Sequence, residues 1–280
     1  MIRIVTDTGS DITYLGAADV GVEVVELDIK FDEFPYDYRN DPDFSVFYEN
    51  LGKAKKLPST SQVNPSQYLE LFNDAKEKGD EMLVLTLSGG LSGTFSSAAM
   101  AKEECGYDGI TLVDTRQAIT SQQAMTEYAV KLRDDGKSVA EIEKALLDIR
   151  ENMCLTACLD TLTYFKKGGR VPPAMALIGN AIKIKPIIYL KDGKLDPLDK
   201  VRGFQSALKV MWNKLEKDGF DDELIPVCFG HANNEERGRT FMEETVAKFG
   251  IKNYKLIPVG GVIGTHSGPN AVVITYLKTK

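Results

Sequence analysis

The sequence predicts two different α/β domains, the first a parallel sheet with helices on both faces and the second a mixed sheet with helices. In the first half of the chain, apolar strand-like segments alternate with longer helix-like segments, and such alternation is typical of a parallel sheet. After residue 150 a Gly-Gly loop follows a strand, and Asp192-Gly193 joins two strand-like segments as a hairpin. Because 280 residues suit two modest domains, we place them at 1–157 and 158–280, with a ligand between them.

The first domain contributes strands and helices in alternation. Strands are predicted at 2–6, 22–29, 82–87 and 110–114, and helices at 66–78, 94–104, 118–134 and 139–150. Two helices have clear start signals, since Asn64-Pro65 precedes the first and Ser138 stands three residues before Glu141 as a capping box. Residues 32–58 are acidic, aromatic and irregular. They predict either a loop with a short helix packed on the first domain or a cover over one end of an apolar site.

The second domain has shorter connections and a hairpin. Its strands are predicted at 153–159, 187–190, 194–197, 225–230, 255–259 and 271–277, and its helices at 204–218 and 234–249. A further helix, begun by prolines, is expected after Arg170.

The composition excludes several classes of function. With 34 basic and 41 acidic residues the net charge is −7, so nucleic acid is not an expected partner. No apolar run reaches the ~18 residues of a membrane span, and the N-terminus begins as a strand instead of a signal peptide, which predicts a cytoplasmic protein. The two histidines are far apart and no metal-ligand spacing occurs, so neither a metal nor a cofactor is predicted. The four cysteines are expected to be buried free thiols.

Four short segments concentrate residues that suit an anionic group. They are 58–62 (PSTSQ), 87–94 (LSGGLSGT), 166–170 (KKGGR) and 264–269 (GTHSGP). The second lies between a strand and a small-residue helix, and such a corner presents backbone N–H groups and hydroxyls to an anion. Together the segments supply hydroxyls, one arginine and one histidine.

Each of these residues also has a purely structural interpretation. Ser92 could only cap the helix that follows it, and Thr60 and Ser61 could cap the next helix. Arg170 could form a structural ion pair, although its planar fork suits a carboxylate or a phosphoryl group. His266 could be a hydrogen-bonded core histidine.

The order and spacing of these segments, with residues 5–11 (VTDTGSD) and 183–187 (KIKPI), resemble the DegV family of bacterial fatty-acid-binding proteins over nearly the whole chain. The resemblance implies that Thr60, Ser92 and His266 hold the carboxylate of a long-chain fatty acid, with Ser61 and Gly93 among the ligand-binding residues. His231 fits a structural role and a role in the site equally well.

The resemblance also implies roles outside carboxylate binding. Arg202 matches a family arginine near the ligand head, and Arg170 matches one that serves phosphorylation or partner contact. In this family the protein presents the fatty acid to a separate ATP-dependent fatty acid kinase, which makes the acyl phosphate for phospholipid synthesis. We therefore expect a carrier subunit and not an enzyme, with transient exchange of the fatty acid at membranes.

The tail of the ligand is expected to supply most of the affinity. At ~0.8 kcal/mol per buried methylene, about fifteen methylenes give on the order of 12 kcal/mol before association costs are subtracted. The apolar stripe of the helix after Arg170 could line part of the tail tunnel or belong to an ordinary core; its residues are Leu177, Ile178, Ala181 and Ile182.

The sequence departs from the family pattern in two places. Many members begin the helix after residue 115 with a Gly-Leu-Gly-like sequence, whereas residues 119–123 read ITSQQ, so the packing there is expected to differ. Asn270 stands where glycine is usual and could alter the loop beside His266.

Two other functions fit the same residues. The first is a small-molecule hydrolase or phosphotransferase that uses His266 with Ser92 or Thr60 as acid, base or nucleophile. The second is a regulatory binding module whose cleft closes on a polar ligand. The hydrolase predicts turnover by the isolated protein, and the regulatory module predicts a wet, polar cleft.

Overall fold

The computed structural model of the chain describes residues 1–37, 41–170 and 184–279. Its strands are β1 (Ile2–Asp7), β2 (Glu23–Val25), β3 (Ile29–Lys30), β4 (Ser59–Thr60), β5 (Glu81–Thr86), β6 (Ile110–Asp114), β7 (Met153–Cys158), β8 (Ile184–Lys191), β9 (Lys194–Arg202), β10 (Val227–His231), β11 (Tyr254–Pro258) and β12 (Val272–Leu277). Its helices are α1 (Tyr14–Val20), α2 (Ser45–Lys53), α3 (Pro65–Lys78), α4 (Thr94–Cys105), α5 (Ile119–Asp134), α6 (Val139–Arg150), α7 (Thr163–Gly168), α8 (Phe204–Asp218), α9 (Glu235–Phe249) and α10 (Gly261–Ser267).

The first sheet is parallel and is covered by helices on both faces, as predicted. Its strand order is β2-β1-β5-β6, and each neighbouring pair runs in the same direction. Successive residues of a strand point to opposite faces. Val84 of β5 therefore packs in one cluster with Phe72 of α3, whereas Leu83 and Leu85 pack in another with Met125 of α5.

The second sheet is mixed, which confirms the predicted fold class. Its order is β11-β10-β12-β7-β8-β9, with β10 and β11 parallel and the other neighbours antiparallel. On one face Cys158 packs in a cluster with Met211 of α8 and Phe241 of α9. On the other face Ala157 and Val273 join the cluster that includes the first-domain helices α3 and α4. This second face meets the first domain.

The domain boundary that we predicted after residue 157 falls inside β7. All of β7 belongs to the second sheet, since it pairs with β12 on one side and β8 on the other. The chain therefore passes from one sheet to the other before Met153, and we propose to place the boundary there.

The single strand predicted at 22–29 is divided into β2 and β3. Between them the side-chain amide of Gln67 accepts from the backbone N–H of Glu26 and donates to its carbonyl, at 3.2 Å each. The backbone at Glu26 thus bonds a side chain instead of a neighbouring strand. Beyond this break β3 pairs with β4, which contains Thr60.

A short helix, α10, occupies the segment that we predicted as a glycine-rich loop around His266. Helix α2, from the aromatic segment 32–58, packs against it and buries Phe47, Tyr48 and Leu51. A Cβ added at Gly261 or Gly264 would lie 2.8 Å from ring carbons of Phe47, so these glycines admit the aromatic ring. At the start of α10 the carboxylate of Asp11 accepts a 2.9 Å hydrogen bond from the N–H of Gly260.

Among the described residues, no helix is long and apolar enough to cross a membrane. Within the same residues, no group of three potential metal-ligating side chains comes together. The four cysteines are free and buried.

Candidate ligand-binding site

A cavity with about 860 Å³ of empty space lies between the two sheets. Most of its described lining is apolar and comes from both domains, including Leu27, Leu87, Leu155, Ile188, Val262 and Val273. The site is therefore a mostly apolar chamber with few polar groups.

The polar groups of the cavity include a hydroxyl and an imidazole in direct contact. Thr60 Oγ1 and His266 Nε2 are 2.9 Å apart, although 206 positions separate the two residues in the chain. Pairing of β3 with β4 fixes Thr60, and the last turn of α10 carries His266. Three elements remote in sequence thus build this contact.

His266 is buried at 8% exposure and is uncharged at neutral pH. Burial, followed by the nearby charge of Arg170, lowers the pKa of His266 to about 4. Its second nitrogen, Nδ1, has no hydrogen-bond partner among the described residues. One ring nitrogen is therefore hydrogen-bonded to Thr60, and the other has no partner among the residues that the structure describes.

Gly168, at the end of α7, lies directly against the imidazole. A Cβ at this position would be 2.2 Å from His266 Nδ1, a distance that no real pair of atoms tolerates. Of the two glycines in residues 166–170, Gly168 is therefore needed without a Cβ, because α7 approaches the imidazole closely at this point. Two residues later, Arg170 lines the cavity, is exposed, and donates a 2.8 Å hydrogen bond to the carbonyl of Gly168.

Ser92 lines the cavity from the loop that precedes α4. Its hydroxyl lies 2.9 Å from Thr94 Oγ1 and accepts a 3.3 Å bond from the N–H of Thr94. This half-buried side chain therefore lines the cavity and also bonds the first residue of α4, whose N-cap is Gly93.

Gly93 does not line the cavity, although we predicted it among the ligand-binding residues. A Cβ there would lie 1.9 Å from Gln62 Oε1, so the glycine leaves room for that side chain. Gln62 lines the cavity and donates a 2.7 Å hydrogen bond to Ser97 Oγ. The contact joins the Thr60 segment to α4, the helix that follows the Ser92 loop.

Of two further residues that we predicted to bind the ligand, Ser61 lines the cavity and Arg202 does not. Ser61 lines the cavity at an exposed site, and its backbone N–H donates to the carbonyl of Asp28 at 3.1 Å. Arg202 is exposed at the end of β9, opposite Ile184, and does not line the described cavity. The apolar stripe predicted after Arg170 lies outside the described residues.

His231 lies in a different, polar cavity together with Asp43, Glu235 and Arg239. Partial burial lowers its pKa. The structure thus separates the two histidines, and of the pair only His266 lines the apolar cavity.

Two residues that our site assignment omitted contribute to the cavity: Ser267 lines it, and Asp7 holds a loop that lines it. Ser267 is buried beside His266 and lines the cavity; its adjacency in sequence was the available signal. Asp7 is fully buried, and its carboxylate accepts bonds from the N–H groups of Leu87 at 2.7 Å and Gly9 at 2.9 Å. It therefore fixes the start of the Ser92 loop without lining the cavity.

The fold and the cavity define an α/β protein with a parallel sheet, a separate mixed sheet and an internal, mostly apolar cavity where the two sheets meet. The model of the DegV family matches residues 1–279, and the chain belongs to this family. The family membership predicted from the sequence is thereby confirmed.

Relatives of the chain span nearly its whole length. A DegV domain-containing protein from Clostridium perfringens is 31% identical over 281 residues, which cover 98% of this chain and 96% of the relative. A DegV lipid-binding protein from Thermotoga maritima is 26% identical, with a TM-score of 0.87 over 100% of this chain and 99% of its own. A DegV family protein from Thermus thermophilus, described by its fatty acid binding, is 25% identical with a TM-score of 0.87 over 99% of each chain.

Proposed function

We propose that this protein binds a long-chain fatty acid, with the tail in the apolar cavity and the carboxylate at Thr60, Ser92 and His266. The observation that supports this most directly is the partly buried contact of 2.9 Å between Thr60 Oγ1 and His266 Nε2 within a mostly apolar lining. The fatty acid and lipid binding of the relatives from Thermus thermophilus and Thermotoga maritima supports the same assignment.

The Thr60 and His266 pair suits an acceptor-only head group. A neutral imidazole has one N–H and a hydroxyl has one O–H, so the pair holds two protons and uses one of them internally. If Thr60 donates to Nε2, the free donor is Nδ1–H; if Nε2–H donates to Thr60, the free donor is the hydroxyl. Either arrangement leaves one donor for a carboxylate, which would otherwise lose its hydrogen bonds on burial.

The same geometry favours binding over the hydrolase alternative. A hydroxyl activated by histidine requires a third group that orients the imidazole, as in catalytic triads. Here His266 Nδ1 has no partner among the described residues, and its pKa of about 4 makes it a weak base at neutral pH. Hydrogen bonding to an anion requires neither an orienting partner for Nδ1 nor a basic imidazole.

We further propose that the protein presents the carboxylate to a separate ATP-dependent fatty acid kinase. Arg170 supports this step, because its side chain both lines the cavity and is exposed to a partner. A guanidinium at this place could pair with the phosphoryl group that is transferred from ATP to the carboxylate. The resulting acyl phosphate would serve phospholipid synthesis.

Native mass spectrometry of the freshly purified protein, followed by organic extraction, tests the ligand directly. We expect one long-chain fatty acid per chain. A protein that is empty after purification and takes up no added fatty acid would contradict the proposal.

A further inference from the structure

A polar cavity with about 780 Å³ of empty space lies beside the start of β7, and we call it the cationic cavity. Its charged lining comprises five basic and three acidic side chains, which are Arg116, Arg150, Lys191, Lys214, Lys278, Glu151, Asp192 and Asp218. The excess of two positive charges contrasts with the net charge of −7 for the whole chain.

The polar cavity around His231 lacks such an excess. It is of similar size, with about 890 Å³ of empty space, but its charged lining is Asp43, Glu235 and Arg239, so acidic groups prevail there. Positive charge is therefore a feature of the cationic cavity and not of polar cavities in this chain generally.

Ion pairs within the cationic cavity leave part of its positive charge unmatched. Glu151 Oε1 lies 2.9 Å from Arg116 Nη1 and 3.1 Å from Arg150 Nε, so two guanidinium groups share one carboxylate oxygen. Lys214 Nζ pairs with Asp218 at 2.7 Å. Each guanidinium has five N–H donors, more than a shared carboxylate can satisfy. Donors therefore remain for a further anion.

Two lysines of the cavity have no ion pair with any residue that the structure describes. They are Lys191, at the end of β8, and Lys278, directly after β12. Extending the antiparallel register of β7 and β8 by two residues brings Lys191 beside Cys154, and Lys278 follows Leu277, which pairs with Met153. The two lysines therefore lie on opposite sides of β7, where both can reach one anion.

Gln117 adds a buried hydrogen-bond acceptor to these donors. It is 4% exposed and lines the cationic cavity, and its Oε1 has no hydrogen-bond partner among the described residues. Its backbone is fixed, since its N–H donates to Thr115 Oγ1 at 3.1 Å and its carbonyl accepts from the N–H of Ser88 at 2.9 Å. An unpaired buried acceptor costs free energy, and a ligand that brings its own donor removes that cost.

We propose that the cationic cavity binds a phosphate that carries a hydroxyl group. The phosphate oxygens accept hydrogen bonds from Lys191, Lys278 and Arg116, and the hydroxyl donates to Gln117 Oε1. Inorganic hydrogen phosphate has such a hydroxyl on phosphorus, and a sugar phosphate has one on carbon. Sulfate has a similar shape and charge but no proton to donate at pH 7. This site does not depend on the fatty acid.

Isothermal titration calorimetry at pH 7 and constant ionic strength tests the proposal with inorganic phosphate, glucose 6-phosphate and sulfate. We expect the better of the two phosphates to bind roughly 5- to 10-fold more tightly than sulfate, because only phosphates donate to the Gln117 oxygen. Tighter binding of glucose 6-phosphate would support a phosphorylated metabolite as the source of the group, and tighter binding of inorganic phosphate would support the free anion. Equal binding of phosphate and sulfate, or no binding of either phosphate at millimolar concentration, would overturn the proposal.

Lys191→Gln and Lys278→Gln should each weaken phosphate binding roughly 10-fold, because each removes a charged donor. Lys194→Gln is the matched control, since it removes the same charge from the same hairpin at an exposed position that does not line the cationic cavity. It should leave the affinity nearly unchanged. An equal loss in all three variants would show a general effect of charge and would contradict a built site.

Gln117→Met separates recognition of the hydroxyl from a structural role of this side chain. The substitution keeps the length of the side chain and removes the unpaired oxygen, so the variant should be no less stable to urea than the unaltered protein. Its affinity for phosphate should fall to that for sulfate, while sulfate binding stays the same. A retained preference for phosphate would remove Gln117 from the proposed role, and parallel losses for both anions would assign it a structural one.

Discussion

The hydroxyl of Ser88 donates a 2.6 Å hydrogen bond to the backbone carbonyl of Gly193, which joins the Ser92 loop of the first domain to the β8–β9 turn of the second. The contact is close on both sides. A Cβ at Gly193 would lie 2.7 Å from Ser88 Oγ, and one at Gly90 would lie 2.4 Å from the Gly193 carbonyl. Since Leu190 and Leu195 line the cavity from the same hairpin, this contact also holds the cavity wall in place.

Gly193→Ala should therefore destabilise the protein more than an ordinary glycine substitution. Gly193 has a φ of 75°, and Gly136 has a comparable φ of 80° but would meet no described atom within 4 Å if it carried a Cβ. The backbone cost of ~1 kcal/mol is common to both, so the excess in Gly193→Ala measures the clash with Ser88. Urea unfolding should give an excess of about 1–3 kcal/mol. Equal losses in the two variants would show that the turn relaxes without cost.

The sequence predicted the class of both sheets because strand-like segments alternate with helix-like segments in the first and Asp192-Gly193 joins two strands as a hairpin in the second. In β7, Leu155 and Ala157 face the first domain while Cys154 and Cys158 face α8 and α9. The order of strand-like and helix-like segments was enough to predict one parallel sheet and one mixed sheet. The break between β2 and β3 was missed, since it depends on the side chain of Gln67, which is distant in sequence.

The helix α10 could not be predicted from local propensity. Glycines at 260, 261 and 264 disfavour a helix, and the segment is stabilised from outside by Phe47 and the carboxylate of Asp11. The resemblance to the DegV family predicted that Thr60 and His266 share one site, and in the structure their side chains are in contact. Arg202 lies outside the described cavity. It pairs with Ile184 at the end of the hairpin far from the turn, and the sequence motif does not determine that pairing.

His266→Ala should weaken binding of a fatty acid while the fold stays intact. Loss of a hydrogen bond to a charged group costs about 1.5–3 kcal/mol, which corresponds to roughly 10- to 100-fold weaker affinity. Ser92→Ala should have an effect in the same direction. Equilibrium competition with a fluorescent fatty acid measures the change.

His231→Ala is the matched control for that experiment, because His231 lies in the polar cavity and not in the apolar one. It should retain the affinity of the unaltered protein. If both histidine variants lost affinity equally, the assignment of His266 to the head group would be wrong.

The stability of the ligand-free protein should depend on His266 at acidic pH. Burial, followed by the charge of Arg170, lowers the pKa of His266 to about 4, below the ~6.5 of an exposed imidazole. The neutral ring therefore contributes stability that is fully present above pH ~6.5 and is lost as the pH falls toward 4. The loss amounts to about 3 kcal/mol.

His266→Gln should remove this loss, because glutamine does not titrate and can still bond Thr60. Urea unfolding of the delipidated proteins at pH 7 and pH 4.5 gives the difference in stability for each. We expect a smaller fall in the variant than in the unaltered protein. Falls of the same size would assign the acid sensitivity to other groups.

Arg170→Ala should leave fatty acid binding unchanged and impair formation of the acyl phosphate. The side chain is exposed and bonds only its own loop, at Gly168, among the described residues. Its removal therefore takes away a charge at the mouth of the cavity without altering the apolar lining. The measurement is production of acyl phosphate with a bacterial fatty acid kinase and ATP. Lys167→Ala, an exposed neighbour, is the control, and normal phosphorylation in Arg170→Ala would remove this arginine from the proposed role.

Gly168→Ala should weaken fatty acid binding about as much as His266→Ala, roughly 10- to 100-fold, and should lower stability by about 1–3 kcal/mol. The added methyl group would lie 2.2 Å from His266 Nδ1, so the imidazole must move away from the position in which it contacts Thr60. The backbone itself tolerates alanine at the end of a helix, since Gly168 does not have a positive φ. Gly52→Ala in the last turn of α2 is the matched control, because a Cβ there would meet no described atom within 4 Å. We expect Gly52→Ala to bind with unchanged affinity and Gly168→Ala to bind more weakly, both by equilibrium competition with a fluorescent fatty acid. Unchanged affinity in Gly168→Ala would mean that the position of the imidazole does not determine binding of the carboxylate.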